Sequence, residues 1–468
     1  MKFFSGLRKP VIIKRKNSVA TEVSQTDSSR SNSSSASPRI PSTPASLAQS
    51  TSSSSTNQLN FQELSDDVIV SSIPMMKIIN SQFEKKYFEW NKQNDATVWI
   101  CSVADQEDRT IEKVSLVGTT FYLELEDQTK TSFPLIGEFS TDSNIIFNED
   151  YIMFLDPVVS IRCENNQLLN SLQKLMALSL FEHFAVYKSL TGSLISSIGL
   201  RMPDINMILN SQFNFKDWCE IYIPEEGWVR SWCHINKMSK KSDKYEPKGK
   251  YQIKFYRHNK SASPNSNANL ICYIPDSNYV QDIFFYNATE NNQTPTSNPT
   301  EFLNNIKTVK LVGDVLYPEE TPTLRTPSTS SSITKQLISP KRDVSTKAVK
   351  PSKSSTFRTK KNGVLIRPLA HHGLSHFDAM IKFIIPMMDV TRKYGRPTQF
   401  IATTNEINSL MFGLPKLPNT NYFKDSELET IINDKQMEYL ESNETLAYSM
   451  NWISEHLKEA FQVDPDRY

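Results

Sequence analysis

Two stretches of the chain share one order of events: several short runs in which aromatic and β-branched residues alternate with polar ones, then one long run with helical spacing. Period-two alternation marks strands with one buried face, and a 3.6-residue period marks an amphipathic helix. The first series reads KKYFEW (85–90), TVWICSV (97–103), VSLVGTTFYLELE (114–126), SNIIFN (143–148) and YIMFLD (151–156). It ends in NQLLNSLQKLMALSLFEHFAVYKSL (166–190), where Leu168, Leu169, Leu172, Leu175, Met176 and Leu180 share one helical face. The second series has seven runs: DWCEIYI, GWVRSWCHIN, KYQIKFYR, NLICYI, QDIFFYN, KTVKLVG and GVLIRPL, between 217 and 369. LSHFDAMIKFIIPMMDVTRKYG follows, with Phe377, Met380, Ile381, Ile384, Ile385 and Met388 as its apolar stripe and Pro386 as an expected kink.

Strands closed by one helix predict small α+β units. Seven strands and one C-terminal helix are the pleckstrin-homology (PH) layout, a bent antiparallel sandwich capped at one corner. The expected fold is therefore α+β: two PH-like β-sandwich domains, each capped by a C-terminal helix. The expected boundaries are a disordered, basic, Ser-rich arm at 1–72, a first PH-like domain at 73–198 and a connector at 199–215. A second PH-like domain at 216–400 is split by a disordered insert at 321–362, and a helical extension follows at 401–468. In that extension 425–461 reads as two acidic amphipathic helices, through Leu428, Ile431 and Ile432, then Leu446, Met450, Ile453 and Leu457. Docking on the second PH unit is expected of them, or else a helical interface for a partner.

Overall charge excludes little, since 52 basic residues nearly cancel 51 acidic ones. Locally it is uneven. Residues 1–60 hold eight basic and two acidic residues, and 321–362 hold ten basic residues against Asp343 alone. Both stretches are rich in Ser, Thr and Pro, and too poor in large apolar side chains to offset the entropy of ordering. The five cysteines are scattered and form no CxxC pair, which reads as buried thiols of an intracellular protein without disulfides. No apolar run reaches the roughly 18 residues a spanning helix needs.

Four landmarks occur in one order: LFEHFAVYKSLTGSLI (180–195), WVRSWCHI (228–235), HFDAMIKFIIPMMDVTRKYGRP (376–397) and SLMFGLPKLP (409–418). By these the chain resembles a family of fungal tandem-PH proteins over roughly residues 75–460. That family includes a factor associated with the yeast mRNA deadenylase (carbon-catabolite-repression/Not) complex and its bud-neck paralogue. The resemblance implies two PH-like domains, no enzymatic activity and no cofactor. It also implies a cytoplasmic adaptor at the cell cortex or division site (bud neck), with protein partners from the deadenylase complex or the division machinery. Larger members carry a long tail, which is not expected of this shorter chain.

Candidate sites fall on the PH frames and on the arms. Trp228 and Trp232 lie four apart on one strand face with Arg230 between them, so they read as landmarks that close the core and hold the sheet, with Arg230 stacked on indole. A PH unit that grips phosphoinositides surrounds its first turn with cations, because clustered phosphates need several charged donors. Here the turn carries Pro224, Glu225 and Glu226, and the first unit's turn at 91–96 has one Lys and one Asp. Lys85, Lys86 and Arg230 remain as lipid-binding candidates on the folded body. In the arm, Lys2, Arg8, Lys9, Lys14, Arg15 and Lys16 are interleaved with Phe3, Phe4, Ile12 and Ile13, which suits attachment to an anionic phospholipid surface. Ser18, Ser37, Thr43, Thr326 and Ser339 are phosphorylation candidates, Ser18 after Arg15 and the others before proline. His371, His372 and His376 match no common zinc spacing, so no metal is expected, and Ser375 reads as a helix cap. Gly395 and Pro397 are expected to end the second helix. No glycine-rich phosphate loop or nucleophile motif occurs, and no direct contact with nucleic acid is expected. A protein scaffold and a phosphoinositide-targeting module are the two readings left open.

Overall fold

The computed structural model describes residues 65–464, apart from 104–106, 137–144, 156, 203–214, 225, 238–250, 259–268, 288–295, 319–356, 361–362, 371–373 and 435–444. The arm expected at 1–72 lies outside the described residues as far as 64, and of the insert expected at 321–362 only 357–360 are described; they form a strand where disorder was expected.

Two antiparallel sheets with one topology organise the body. In the first the strand order is β5-β4-β3-β2-β8-β7-β6, from β1 (Lys86–Asn91), β2 (Trp99–Val103), β3 (Arg109–Val117), β4 (Thr120–Leu125), β5 (Lys130–Pro134), β6 (Ile145–Phe147), β7 (Tyr151–Leu155) and β8 (Val158–Cys163). β1 and β2 both run antiparallel to β3, β1 against Lys113–Val117 and β2 against Arg109–Thr110, so together they act as one strand broken at the turn. The second sheet runs β12-β11-β10-β9-β17-β14-β13, the same order once β1 and β2 count as one. Its strands are β9 (Lys216–Ile223), β10 (Gly227–Lys237), β11 (Tyr251–Tyr256), β12 (Leu270–Ile274), β13 (Asp282–Tyr286), β14 (Thr308–Val312), β15 (Val315–Pro318), β16 (Phe357–Lys360) and β17 (Val364–Pro368). The α+β class with two PH-like sheets is as the alternation required.

Sequence periodicity missed four strands. They are β5, β8, and the pair β15 and β16 on either side of 319–356. That last pair forms a hairpin, Val315 opposite Lys360 and Pro318 opposite Phe357, which extends the sheet beyond β12. The insert thus leaves from the tip of a hairpin and not from a plain loop.

Among the described residues six helices complete the body: α1 (Asp66–Glu84), α2 (Asn166–Ile198), α3 (Pro299–Asn305), α4 (His376–Thr391), α5 (Asp425–Asn433) and α6 (Thr445–Val463). α1 begins before residue 72, where the arm was expected to end. Its Val68, Met75, Met76, Ile78 and Ile79 are buried, a helical set interrupted in sequence by Pro74. α2 starts where the Asn165 side chain accepts from the backbone N–H groups of Gln167 and Leu168, and its 33 residues continue well past the expected end. Ser375 caps α4 by accepting from the Asp378 N–H at 3.1 Å. α4 then stops at Thr391, because Arg392 takes a left-handed φ of 55°, so Gly395 and Pro397 lie beyond the helix instead of ending it.

α2 is the axle of the molecule, buried nearly all round. One side packs on α1 and its own sheet, and another on β13 of the second sheet. The C-terminal helices α5 and α6 also dock on α2, and α6 on β6, so they cover the first unit and not the second as expected. Lys174 of α2 shows why: buried, it donates to the last carbonyls of α5, with Nζ 2.8 Å from Ile432 O. Ile453 and Leu457 of α6 are buried as well. The five cysteines are all buried and free.

Candidate interaction face on the second sheet

β9 and β10 pair in register, Trp232 opposite Trp218 and Trp228 opposite Tyr222. Side chains alternate across a strand, so one set must face the sandwich core. That set is Cys219, Ile221, Ile223, Cys233 and Ile235, all buried. Trp228 and Trp232 therefore point outward and are half-buried, against the expectation that they close the core. The fully buried partner between them is Ser231.

Pairing across the sheet sorts the outer side chains into rows. Trp228 and Tyr222 form the first, and Arg230, Glu220 and Arg367 the second. Tyr256, Trp232 and Trp218 form the third; Tyr273, Lys254, His234 and Lys216 form the fourth. Aromatic and cationic rows alternate.

The rings meet edge to face, Trp218 with Trp232 at 5.1 Å and Tyr222 with Trp228 at 5.5 Å. Guanidinium groups cover two of the ring faces. Arg230 lies 4.7 Å over Trp218, and Arg367 lies 3.9 Å over Trp228 while bonding Glu220 at 3.1 Å. Arg230 thus stacks on an indole of the neighbouring strand, not on either tryptophan beside it in sequence. Partial burial, and after it the charges of Lys216 and Lys254, hold the His234 pKa below its usual value. Burial likewise lowers that of Lys254. A face of this make-up, Trp, Tyr and Arg with a net positive charge, is the composition of protein-interface hot spots.

Several cations elsewhere on the frames are answered by neighbouring carboxylates. Lys85 bonds the fully buried Glu182 at 2.7 Å and lies 4.8 Å from the Tyr87 ring, so it serves the joint between β1 and α2. Lys86 pairs with Glu89 at 2.6 Å, and Lys113 also reaches Glu89 at 3.0 Å; these two lysines hold the Glu89 carboxyl down to about 2. In the acidic turn, Glu226 pairs with Arg257 at 2.6 Å, which lowers its pKa. A shallow hollow of about 410 Å³ on β3, β4 and β5 is lined by Lys113, Tyr122, Glu124 and Lys130. Its lysines are met by Glu89 and by Glu124, the latter at 3.4 Å. The hollow offers little net attraction to an anion.

His376 Nε2 lies 2.6 Å from the carbonyl of Ile306, and no group of metal-ligating side chains occurs among the described residues. His371, His372, Glu225, the arm cations from Lys2 to Lys16, and the phosphorylation candidates Ser18, Ser37, Thr43, Thr326 and Ser339 lie outside the described residues. Among described helices none is long and apolar enough to cross a membrane. Sequence reading found Arg230 and the tryptophans of β10 but missed Trp218, Tyr222, Lys254, Tyr256 and Arg367. The even-numbered positions of DWCEIYI carried the first two. Arg367 joins them only through the pairing of β17 with β9.

Comparison with known proteins agrees with this architecture. Residues 201–412 match the model of the fungal PH-like domain. The chain is 37% identical over 448 residues to the uncharacterized protein YJL016W of Saccharomyces cerevisiae, covering 86% of this chain and 78% of that one. It is 23% identical over 301 residues to the CCR4-NOT transcriptional complex subunit CAF120 of the same yeast. That match covers 64% of this chain but only 22% of the subunit, so the chain spans about a fifth of CAF120. No solved structure matches. The chain belongs to the fungal PH-like family that includes these proteins.

Proposed function

We propose that this member of the fungal PH-like family is a non-enzymatic adaptor, which presents protein-binding surfaces on two PH-like frames held by one helix. The aromatic–arginine face of β9 and β10 carries the reading, because such a surface on a solvated sheet is suited to a partner. The joint at α2 supports it as well: two frames fixed to one axle offer surfaces at a constant separation, as a scaffold requires.

The partners fit a multiprotein assembly. CAF120 is a subunit of the CCR4-NOT complex, and the same class of partner is proposed for this chain by analogy, with the division machinery as the other candidate. Action in the cytoplasm, at the cell cortex or division site, belongs to the same proposal. The basic arm, through Lys2, Arg8, Lys9, Lys14, Arg15 and Lys16, would add a salt-sensitive hold on anionic lipid, weakened by phosphate at Ser18.

Co-sedimentation with vesicles, with and without phosphoinositides, tests the reading on the full chain and on a chain lacking 1–60. Binding by the full chain alone, lost in salt and indifferent to headgroup, fits a scaffold with a basic anchor. Selective binding of one phosphoinositide by the shortened chain would replace it with the lipid-targeting reading.

A further inference from the structure

We infer that the β9–β10 face docks an extended acidic peptide whose sheet-facing residues alternate apolar, acidic, apolar, acidic. The inference rests on the reading of this face as a partner surface and specifies what it recognises.

Charge comes first. The face holds Lys216, Arg230, Lys254 and Arg367 against Glu220, which is already bonded to Arg367, and His234 lies among them. Among the described residues no carboxylate pairs with Lys216, Arg230, His234 or Lys254. This differs from the loop ends, where cations are matched one by one. This face offers positive charge unanswered by a carboxylate beside apolar surface, so an anionic partner is complementary.

Ring geometry then selects among anions. Bases of a single-stranded nucleic acid need open ring faces to stack on. Here Arg230 covers Trp218 and Arg367 covers Trp228, and the rings meet one another by their edges. What Arg230 presents outward is its N–H donors, in the planar fork that fits a carboxylate.

Spacing gives the pattern. Successive rows lie two residues apart along the strands, about 7 Å. An extended peptide laid along β10 repeats its sheet-facing side chains at that same interval. Its first apolar side chain would meet Trp228 and Tyr222, the next facing residue would bond Arg230, and a second apolar one would meet Trp232 and Tyr256. A second acid would then reach Lys254, His234 and Lys216.

Fluorescence anisotropy on the full chain tests this with a labelled seven-residue probe of sequence LSESLSE. The controls are its LSKSLSK counterpart, a probe of the same composition with the leucines and glutamates adjacent, oligouridine, and phosphatidylserine vesicles. Saturable binding of LSESLSE is expected, at least tenfold tighter than either peptide control, weakened by salt, and reduced at least tenfold by Arg230→Glu or Lys254→Glu. Arg230 is exposed, so its reversal leaves the core untouched. Equal binding of the rearranged probe, tighter binding of oligouridine or vesicles, or no binding of LSESLSE each overturns the inference. If LSESLSE binds but neither reversal weakens it, the face is not the site, and the reading beneath the inference falls with it. If no probe binds, that reading is judged separately, by whether Arg230→Glu strips the full chain of its co-purifying proteins.

Discussion

The backbone N–H of Phe285 donates to the Thr191 hydroxyl at 2.7 Å, and both residues are fully buried. Phe285 lies on β13, the edge of the second sheet, and Thr191 on the helix that caps the first. An edge strand exposes unpaired donors, and covering one with a helix is a common remedy. Here the remedy also joins the two PH-like units, since Lys188 reaches Asp282 at 2.9 Å and Tyr187 packs on Tyr286 along the same line.

Thr191→Val keeps the shape and removes the acceptor, so a buried N–H is left unsatisfied at a cost of about 1–3 kcal/mol. Urea unfolding should show that loss, and amide exchange at Phe285 should accelerate. Thr191→Ser should restore most of both.

Half-buried Lys85 pairs with the fully buried Glu182, which also accepts from the Tyr87 hydroxyl. Lys85→Met leaves a carboxylate that is fully shielded from water, and the expected loss is about 3–5 kcal/mol. Adding Glu182→Leu removes the stranded charge, so the double variant should be more stable than Lys85→Met. A double variant no better than the single would disprove this account of the joint.

His183 is enclosed by Phe83, Phe184, Tyr187 and Tyr286, with Lys310 nearby. Burial, and after it the Lys310 charge, lowers its pKa from 6.5 to about 3. Between those values the unfolded chain takes up a proton that the folded one refuses, so stability falls as pH drops below about 6.5. By pH 5 the loss is about 2 kcal/mol. Denaturation midpoints measured from pH 7.5 to 5 should follow this slope, and His183→Phe should flatten it.

Gly363 and Gly227 both adopt positive φ, 85° and 76°, but only the first is crowded. A Cβ on Gly363 would sit 1.8 Å from the Leu311 carbonyl oxygen, whereas one on Gly227 would meet nothing within 4 Å. Gly227→Ala should therefore cost only the backbone strain, about 1–3 kcal/mol. Gly363→Ala should cost clearly more, by parting β14 from β17. Thermal unfolding of the two variants, compared side by side, checks the order.

Much of the fold was legible because strands and helices carry their period locally. The seven runs of the second series all became strands, and the stripe from Phe377 to Met388 became the buried face of α4. β15 and β16 were not legible, since four-residue strands hold too few alternations to stand out, and their partners lie across a long insert. α1 was hidden by Pro74 within it and by the polar stretch before it.

The sequence by itself determined which residues alternate, where helices could start, and that Trp228, Arg230 and Trp232 share a face. Only the tertiary structure decided which face that is. Alternation is symmetric, and the choice fell to Cys233 and Ile235, which fill the space opposite the other strands, sending the tryptophans out to meet Trp218 and Tyr222. It also placed Lys85 at a joint with Glu182, which lies 97 residues away in sequence. The docking of α5 and α6 on α2 has the same cause: an amphipathic face states that it must be covered, but its partner is selected by the surface left open once the other elements have packed.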